Sequence, residues 1–83
     1  MTTRDIKSAV NLEARLVALF VQTAGRYTCR LMLRRGNMEI SCKSIMGVVS
    51  MCVREGDDLT ITATGPDEVE GVNALTKMLA EVK

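Results

Sequence analysis

An α+β fold is expected, with a single antiparallel sheet covered by helices on one face. Two observations predict it. Stretches with apolar residues at every second position alternate along the chain with stretches spaced at three and four, so strands and helices interleave. Each alternating stretch carries only one apolar face, which suits an antiparallel sheet that is packed on one side and wet on the other. The order read from the chain is β-α-β-β-(α)-β-α.

The opening residues, TTRDIKSA, are compatible with a first strand centred on Ile6. From Leu16 to Ala24, Leu16, Phe20, Thr23 and Ala24 recur at helical spacing, and Gly25 is a natural helix stop. From Tyr27 to Arg35 the period becomes two: Cys29, Leu31 and Leu33 face one side, and Arg30, Met32 and Arg34 the other. Gly36-Asn37 supplies a tight turn, after which Met38, Ile40 and Cys42 alternate with Glu39, Ser41 and Lys43, completing a hairpin. Residues 44 to 51, SIMGVVSM, are apolar with a glycine inside and fit either a buried strand or a short helix. Arg54 to Asp58 form a polar turn into a half-buried strand in which Leu59, Ile61 and Ala63 alternate with Thr60, Thr62 and Thr64. Past Gly65, Pro66 suits the first position of a helix, with Asp67, Glu68 and Glu70 complementing its positive end. Val69, Val72, Leu75, Leu79 and Val82 mark its apolar stripe, with Met78 beside it, and Gly71 weakens this helix by about 1 kcal/mol relative to alanine.

Composition narrows the function. Eighty-three residues, 47% hydrophobic and 25% charged, make one small packed domain over 1–83, too small for a large catalytic cleft. A net charge of +1 gives no steering toward nucleic acid or an anionic membrane. Arg30, Arg34 and Arg35 make a basic strip, but with Phe20 and Tyr27 as the only aromatic residues it lacks stacking groups, and solvated charges that discourage edge pairing are the expected role. The chain has no histidine and no CxxC, so neither a metal centre nor the usual neutral-pH acid/base group is expected, and no cofactor is implied. Cys29, Cys42 and Cys52 are read as reduced thiols used as small hydrophobes in a cytoplasm, because MTTRDIKSAV has no apolar leader segment. The six methionines fill core gaps or an exposed patch.

Three stretches carry a more specific signal: NLEARLVALFVQTAGRY, CKSIMGVVSM and GDDLTITATGPDEVEGVNALTKMLAE. With them, essentially the whole chain resembles the HPr family of the bacterial phosphotransferase system, in particular its histidine-lacking, Crh-type members of catabolite repression. The resemblance implies an open-faced β-sandwich, a four-stranded antiparallel sheet covered on one face by two long helices and one short helix (βαββαβα). It assigns residues 44 to 51 to the short helix. Phosphocarrier members of the family hold a phosphate-accepting histidine in a loop like GxHARPA. Glu13 stands at that histidine's position, Arg15 at the following arginine and Leu16 at the proline. A glutamate would have to form an acyl phosphate with no assisting base, so phosphate relay for sugar transport is expected to be lost. Leu16 also removes a fixed φ at the helix start.

The family's other phosphorylation site is retained as Ser44 within KSIMG. A serine at a helix N-terminus points its hydroxyl at free N–H groups, and a phosphate there adds a charge of about −2. The resemblance implies modification by an HPr kinase/phosphorylase and binding to a LacI-type catabolite control repressor, with no direct contact to nucleic acid or membrane. A two-turn helix with apolar residues on nearly every side cannot bury them all, so Ile45, Met46 and Val49 are expected to dock partners together with Arg15, while Val48 and Met51 join the core. As a catalytic pair Glu13 and Arg15 lack a third residue, a cleft and a nucleophile, so no enzyme is expected. The alternatives are a residual phosphocarrier using Glu13 as an acyl-phosphate acceptor, and a phosphorylation-independent adaptor or decoy docking through Arg15, Ile45 and Met46. Free sheet edges leave room for a weak homodimer.

Overall fold

The computed structural model describes residues 1–80. Its elements are β1 (Thr2–Lys7), α1 (Ala14–Ala24), β2 (Arg30–Arg35), β3 (Met38–Ser41), α2 (Ile45–Met51), β4 (Asp58–Thr64) and α3 (Glu68–Ala80). The strands form one sheet in the order β1-β4-β2-β3, every neighbouring pair antiparallel. This is the expected open-faced arrangement, and the apolar segment at 44 to 51 is the short helix.

Register explains the covered face. Leu31 pairs with Ala63 and Leu33 with Ile61, so inward residues of the two central strands stand side by side. They are buried together with Leu59 against Phe20 and Ala24 of α1, Val48 and Met51 of α2, and Val72, Leu75 and Leu79 of α3. The opposite face, with Arg30, Met32 and Arg34 beside Thr60, Thr62 and Thr64, has no helix over it among the described residues. The sequence suggested that Arg30 and Arg34 guard a sheet edge; because β2 lies between β4 and β3, they project instead from an inner strand. Arg35 leaves the basic strip altogether and pairs with Asp57 at 2.8 Å.

Several boundaries move. α1 starts at Ala14, two residues earlier than the apolar spacing indicated, because the Val17 N–H already donates to the Glu13 carbonyl at 3.0 Å. Gly25 follows the helix, but with φ −68° it continues the right-handed turn and its N–H donates to the Val21 carbonyl. Pro66 lies in a turn ahead of α3 and is not its first residue. Asp67 turns away from the helix it was expected to complement. Its carboxylate accepts the N–H groups of Thr28 and Cys29, each at 2.9 Å, and fastens the α1–β2 loop. The buried stripe of α3 centres on Val72, Leu75 and Leu79 and takes in Gly71 on one flank. Val69, on the other flank, is 52% exposed and does not belong to the stripe; Val82 lies outside the described residues.

Two glycines admit these contacts. Gly65 has φ +147°, and a Cβ there would stand 2.7 Å from the Cys29 Cα. A Cβ on Gly71 would stand 3.1 Å from Cys29 Sγ and 3.3 Å from a Leu31 methyl, so the helix crosses β2 closely enough that a methyl group there would press these side chains aside. Cys29 and Cys42 are buried as expected, but Cys52 is exposed and cannot act as a core hydrophobe. Burial, followed by the nearby Cys29, pushes the Cys42 thiol up to about 12. Among the described residues no helix is long and apolar enough to cross a membrane.

Candidate functional site

α2 is positioned from its first residue. Ser44 adopts an extended conformation (φ −105°, ψ 114°), its Oγ accepts the Gly47 N–H at 3.1 Å, and its carbonyl accepts the Val48 N–H at 3.0 Å. It is therefore the N-cap that its place before an apolar run suggested. Gly47 lets the helix lie on β3, since a Cβ there would come within 3.1 Å of the Ile40 Cβ. Lys43, just ahead, donates its ammonium to the Tyr27 carbonyl at 2.7 Å.

The helix splits its apolar residues as a two-turn helix must. Val48 and Met51 point inward and are fully buried. Ile45, Met46 and Val49 remain 54%, 81% and 52% exposed, an apolar patch on the surface. Leu19 of α1, 45% exposed, is a further outward apolar residue that the sequence reading left out. Its spacing of four from Arg15 was a signal that both would lie on one face of α1.

Glu13 is the N-cap residue of α1 (φ −120°, ψ 164°), but its side chain makes no capping bond. Among the described residues neither Glu13 nor Arg15 takes part in an ion pair, and both are exposed. Glu13 and Val49 line one open cleft of about 340 Å³, with Asn11, Leu12, Val17, Cys52, Val53 and Arg54. The structure thus brings the loop before α1 to the C-terminal end of α2. Ser44 caps the other end of α2, about 10 Å away along a seven-residue helix, and does not line the cleft. Arg15 does not line it either.

The cleft is held by backbone pairing between residues 8–12 and 53–57. Ser8 N–H donates to the Asp57 carbonyl (2.8 Å), Gly56 N–H to the Ser8 carbonyl (2.7 Å) and Leu12 N–H to the Val53 carbonyl (2.9 Å). Glu55 N–H adds a bond to Asn11 Oδ1 at 2.7 Å. None of these was legible from spacing, because they join segments about forty-five residues apart with no regular period, as the Asn11 to Glu55 separation of 44 illustrates.

Residues 2–81 match the family pattern described as the PTS HPr component phosphorylation site. The chain belongs to the HPr family. Family members resemble it across most of its length: the HPr-like protein Crh of Bacillus subtilis is 36% identical over 77 residues, covering 93% of this chain and 91% of Crh. The crystal structure of a phosphocarrier protein HPr from Bacillus anthracis superposes with a TM-score of 0.90 at 31% identity, covering 94% of this chain and 95% of that one. A crystal structure of Bacillus subtilis Crh, a swapped and intertwined dimer, gives a TM-score of 0.76 at 38% identity over 88% of this chain and 82% of that one.

Proposed function

We propose that this chain is a non-enzymatic HPr-like regulator of carbon catabolite control, acting as one domain over residues 1–83 in the cytoplasm and phosphorylated on Ser44 by an HPr kinase/phosphorylase. The γ-phosphoryl group of ATP passes to Ser44 Oγ, which gives up its proton. The phosphorylated form then serves as corepressor or adaptor for a LacI-type control repressor. Ile45, Met46 and Val49 supply apolar contacts and Arg15 an ionic one.

The observation that carries this reading is the placement of Ser44. Its hydroxyl caps a helix whose exposed apolar face begins at the next residue, so a dianion added there changes the charge of a ready contact surface without refolding it. The chain has no histidine, and Glu13 stands where a phosphocarrier's histidine would, which supports loss of phosphate relay to sugar transport. The Crh relatives support the regulatory reading, and the swapped Crh dimer supports self-association as a weak homodimer.

The test is incubation with labelled ATP and an HPr kinase/phosphorylase. Label should enter the wild type and vanish in Ser44→Ala. Label that persists in Ser44→Ala would refute the site, and an unmodified wild type would refute the reading. A second reading, acyl phosphorylation of Glu13, draws on its exposed, uncapped carboxylate. It predicts a hydroxylamine-labile label from phosphoenolpyruvate and the general phosphotransfer enzyme, abolished in Glu13→Gln.

A further inference from the structure

Arg35 sits at the end of β2, where its guanidinium meets the segment after α2. Nη1 donates to Asp57 Oδ2 at 2.8 Å and to the Cys52 carbonyl at 3.2 Å. The same Asp57 oxygen accepts the Arg54 N–H at 2.9 Å. One side chain therefore bridges both ends of residues 52–57. That segment carries Cys52, Val53 and Arg54 of the cleft, and through its backbone bonds to Ser8 and Leu12 it also holds the loop leading to Glu13.

The segment has reason to need a clamp. Cys52 ends α2 in the left-handed region (φ 52°, ψ 53°), the only described non-glycine residue at positive φ. That conformation is strained for a residue that bears a side chain. Its carbonyl would otherwise belong to the unsatisfied C-terminal groups of a short helix, and the Arg35 guanidinium satisfies it with a charged donor. Asp57 gains as well: its carboxyl is held below the usual range, first by the Arg54 N–H and then by Arg35. Residues 52–57 lack regular structure and are otherwise tied by isolated bonds to Ser8, Asn11 and Leu12, so losing the bridge to the end of β2 loosens the segment without releasing it.

We infer that Arg35 is a positioning residue for the docking surface, fixing the C-terminal end of α2 and the 52–57 wall of the cleft so that Val49, Arg54 and Glu13 are presented in one geometry. Arg35 does not itself line the cleft, so it acts through the backbone it holds. The inference rests on the proposed docking of the kinase on the exposed face of α2, which meets the cleft at Val49, and it adds a residue at the end of β2 that positions that junction. Both bonds leave one nitrogen, Nη1, whose direction the planar guanidinium fixes; a lysine ammonium on its flexible stem lacks that preorganisation and replaces it only in part.

The experiment compares wild type, Arg35→Lys, Arg35→Gln and Asp57→Asn by amide hydrogen exchange and by steady-state phosphorylation with an HPr kinase/phosphorylase. In Arg35→Gln, exchange should rise at Leu12, Cys52, Glu55 and Gly56 and stay unchanged at Leu31 and Ile61 of the central strands. The KM for the protein should rise about tenfold with kcat retained, Asp57→Asn should shift both in the same direction, and Arg35→Lys should fall between Arg35→Gln and wild type. A general structural role would instead accelerate exchange everywhere, and that pattern overturns the inference. So does unchanged exchange in the 52–57 segment, or a KM equal to wild type despite local loosening. Should the wild type take no phosphate, the proposed function falls, and the inference falls with it as a statement about docking; local exchange then decides only whether Arg35 clamps the segment.

Discussion

Replacing Ser44 with alanine separates the structural duty of this residue from its signalling duty. The substitution removes one acceptor, leaving the Gly47 N–H without its 3.1 Å partner at the start of a seven-residue helix. Loss of a serine N-cap costs about 1 kcal/mol, and for a domain of this size each kcal/mol lowers Tm by about 4–8 °C. Ser44→Asp keeps an acceptor and adds negative charge at the positive end of the helix, worth about 0.3–1 kcal/mol in the opposite sense. Thermal unfolding followed by circular dichroism should therefore show Ser44→Ala melting about 4–8 °C below wild type. Ser44→Asp should stay within about 2 °C of it, since the dipole term and the altered cap geometry nearly offset each other. Equal melting temperatures for wild type and Ser44→Ala would refute the capping argument. An aspartate variant as unstable as alanine would show that the site tolerates no anion without disturbance, which would count against phosphate there. With stability retained, altered partner binding by Ser44→Asp reports charge alone.

Other outcomes follow from the packing and the electrostatics. The carboxyls of Glu68, Asp67 and Asp57 are all held low in the folded chain; Glu68 falls to about 2, first through the Thr2 hydroxyl and then the Gly65 N–H. A depressed folded value means the contribution is present above the ordinary carboxylate range and is lost on acidification. Urea midpoints should fall as pH drops from about 5 toward 2, and Glu68→Gln should flatten that decline. Gly71→Ala gains about 1 kcal/mol of helix propensity but meets Cys29 Sγ and Leu31, and overpacking of about 1–3 kcal/mol should prevail, so urea unfolding should find the variant no more stable than wild type. Gly65→Ala adds a backbone clash to an unfavourable φ and should cost about 3 kcal/mol or more by the same measurement. A thiol reagent applied to the native protein should modify Cys52 rapidly and leave Cys29 and Cys42 unmodified until unfolding, as peptide mapping would show.

Much of this molecule was written in local pattern. The alternation of Leu31 and Leu33, and of Leu59, Ile61 and Ala63, identified two strands and their buried faces, because a pleated strand presents every second residue to one side. SIMGVVSM resisted the same method. An apolar run that is buried on one side and exposed on the other has no clean period of either kind, and the family words identified it as a helix. Pro66 and Asp67 misled for a related reason: residues suited to a helix start were taken up by the turn before it, where the Asp67 carboxylate found two N–H donors from the α1–β2 loop. The exposed residues of the candidate surface were legible from the impossibility of burying every side of a short helix. The cleft was not, since Glu13 and Arg54 meet only after the chain has folded back.

The sequence by itself determined the order of the elements other than the one at 44 to 51 and the buried faces of the central strands, because each depends on neighbours within a few residues; the family words made that segment a helix with Ser44 before it. Tertiary structure alone decided that β2 is an inner strand, that Gly71 leaves room for Cys29 and does not merely weaken a helix, that Asp67 serves a distant loop, and that Arg35 bridges to Cys52 and Asp57. Those outcomes depend on pairing and close approach between segments far apart in the chain, where geometry in space, and not spacing in sequence, sets which groups come within bonding distance.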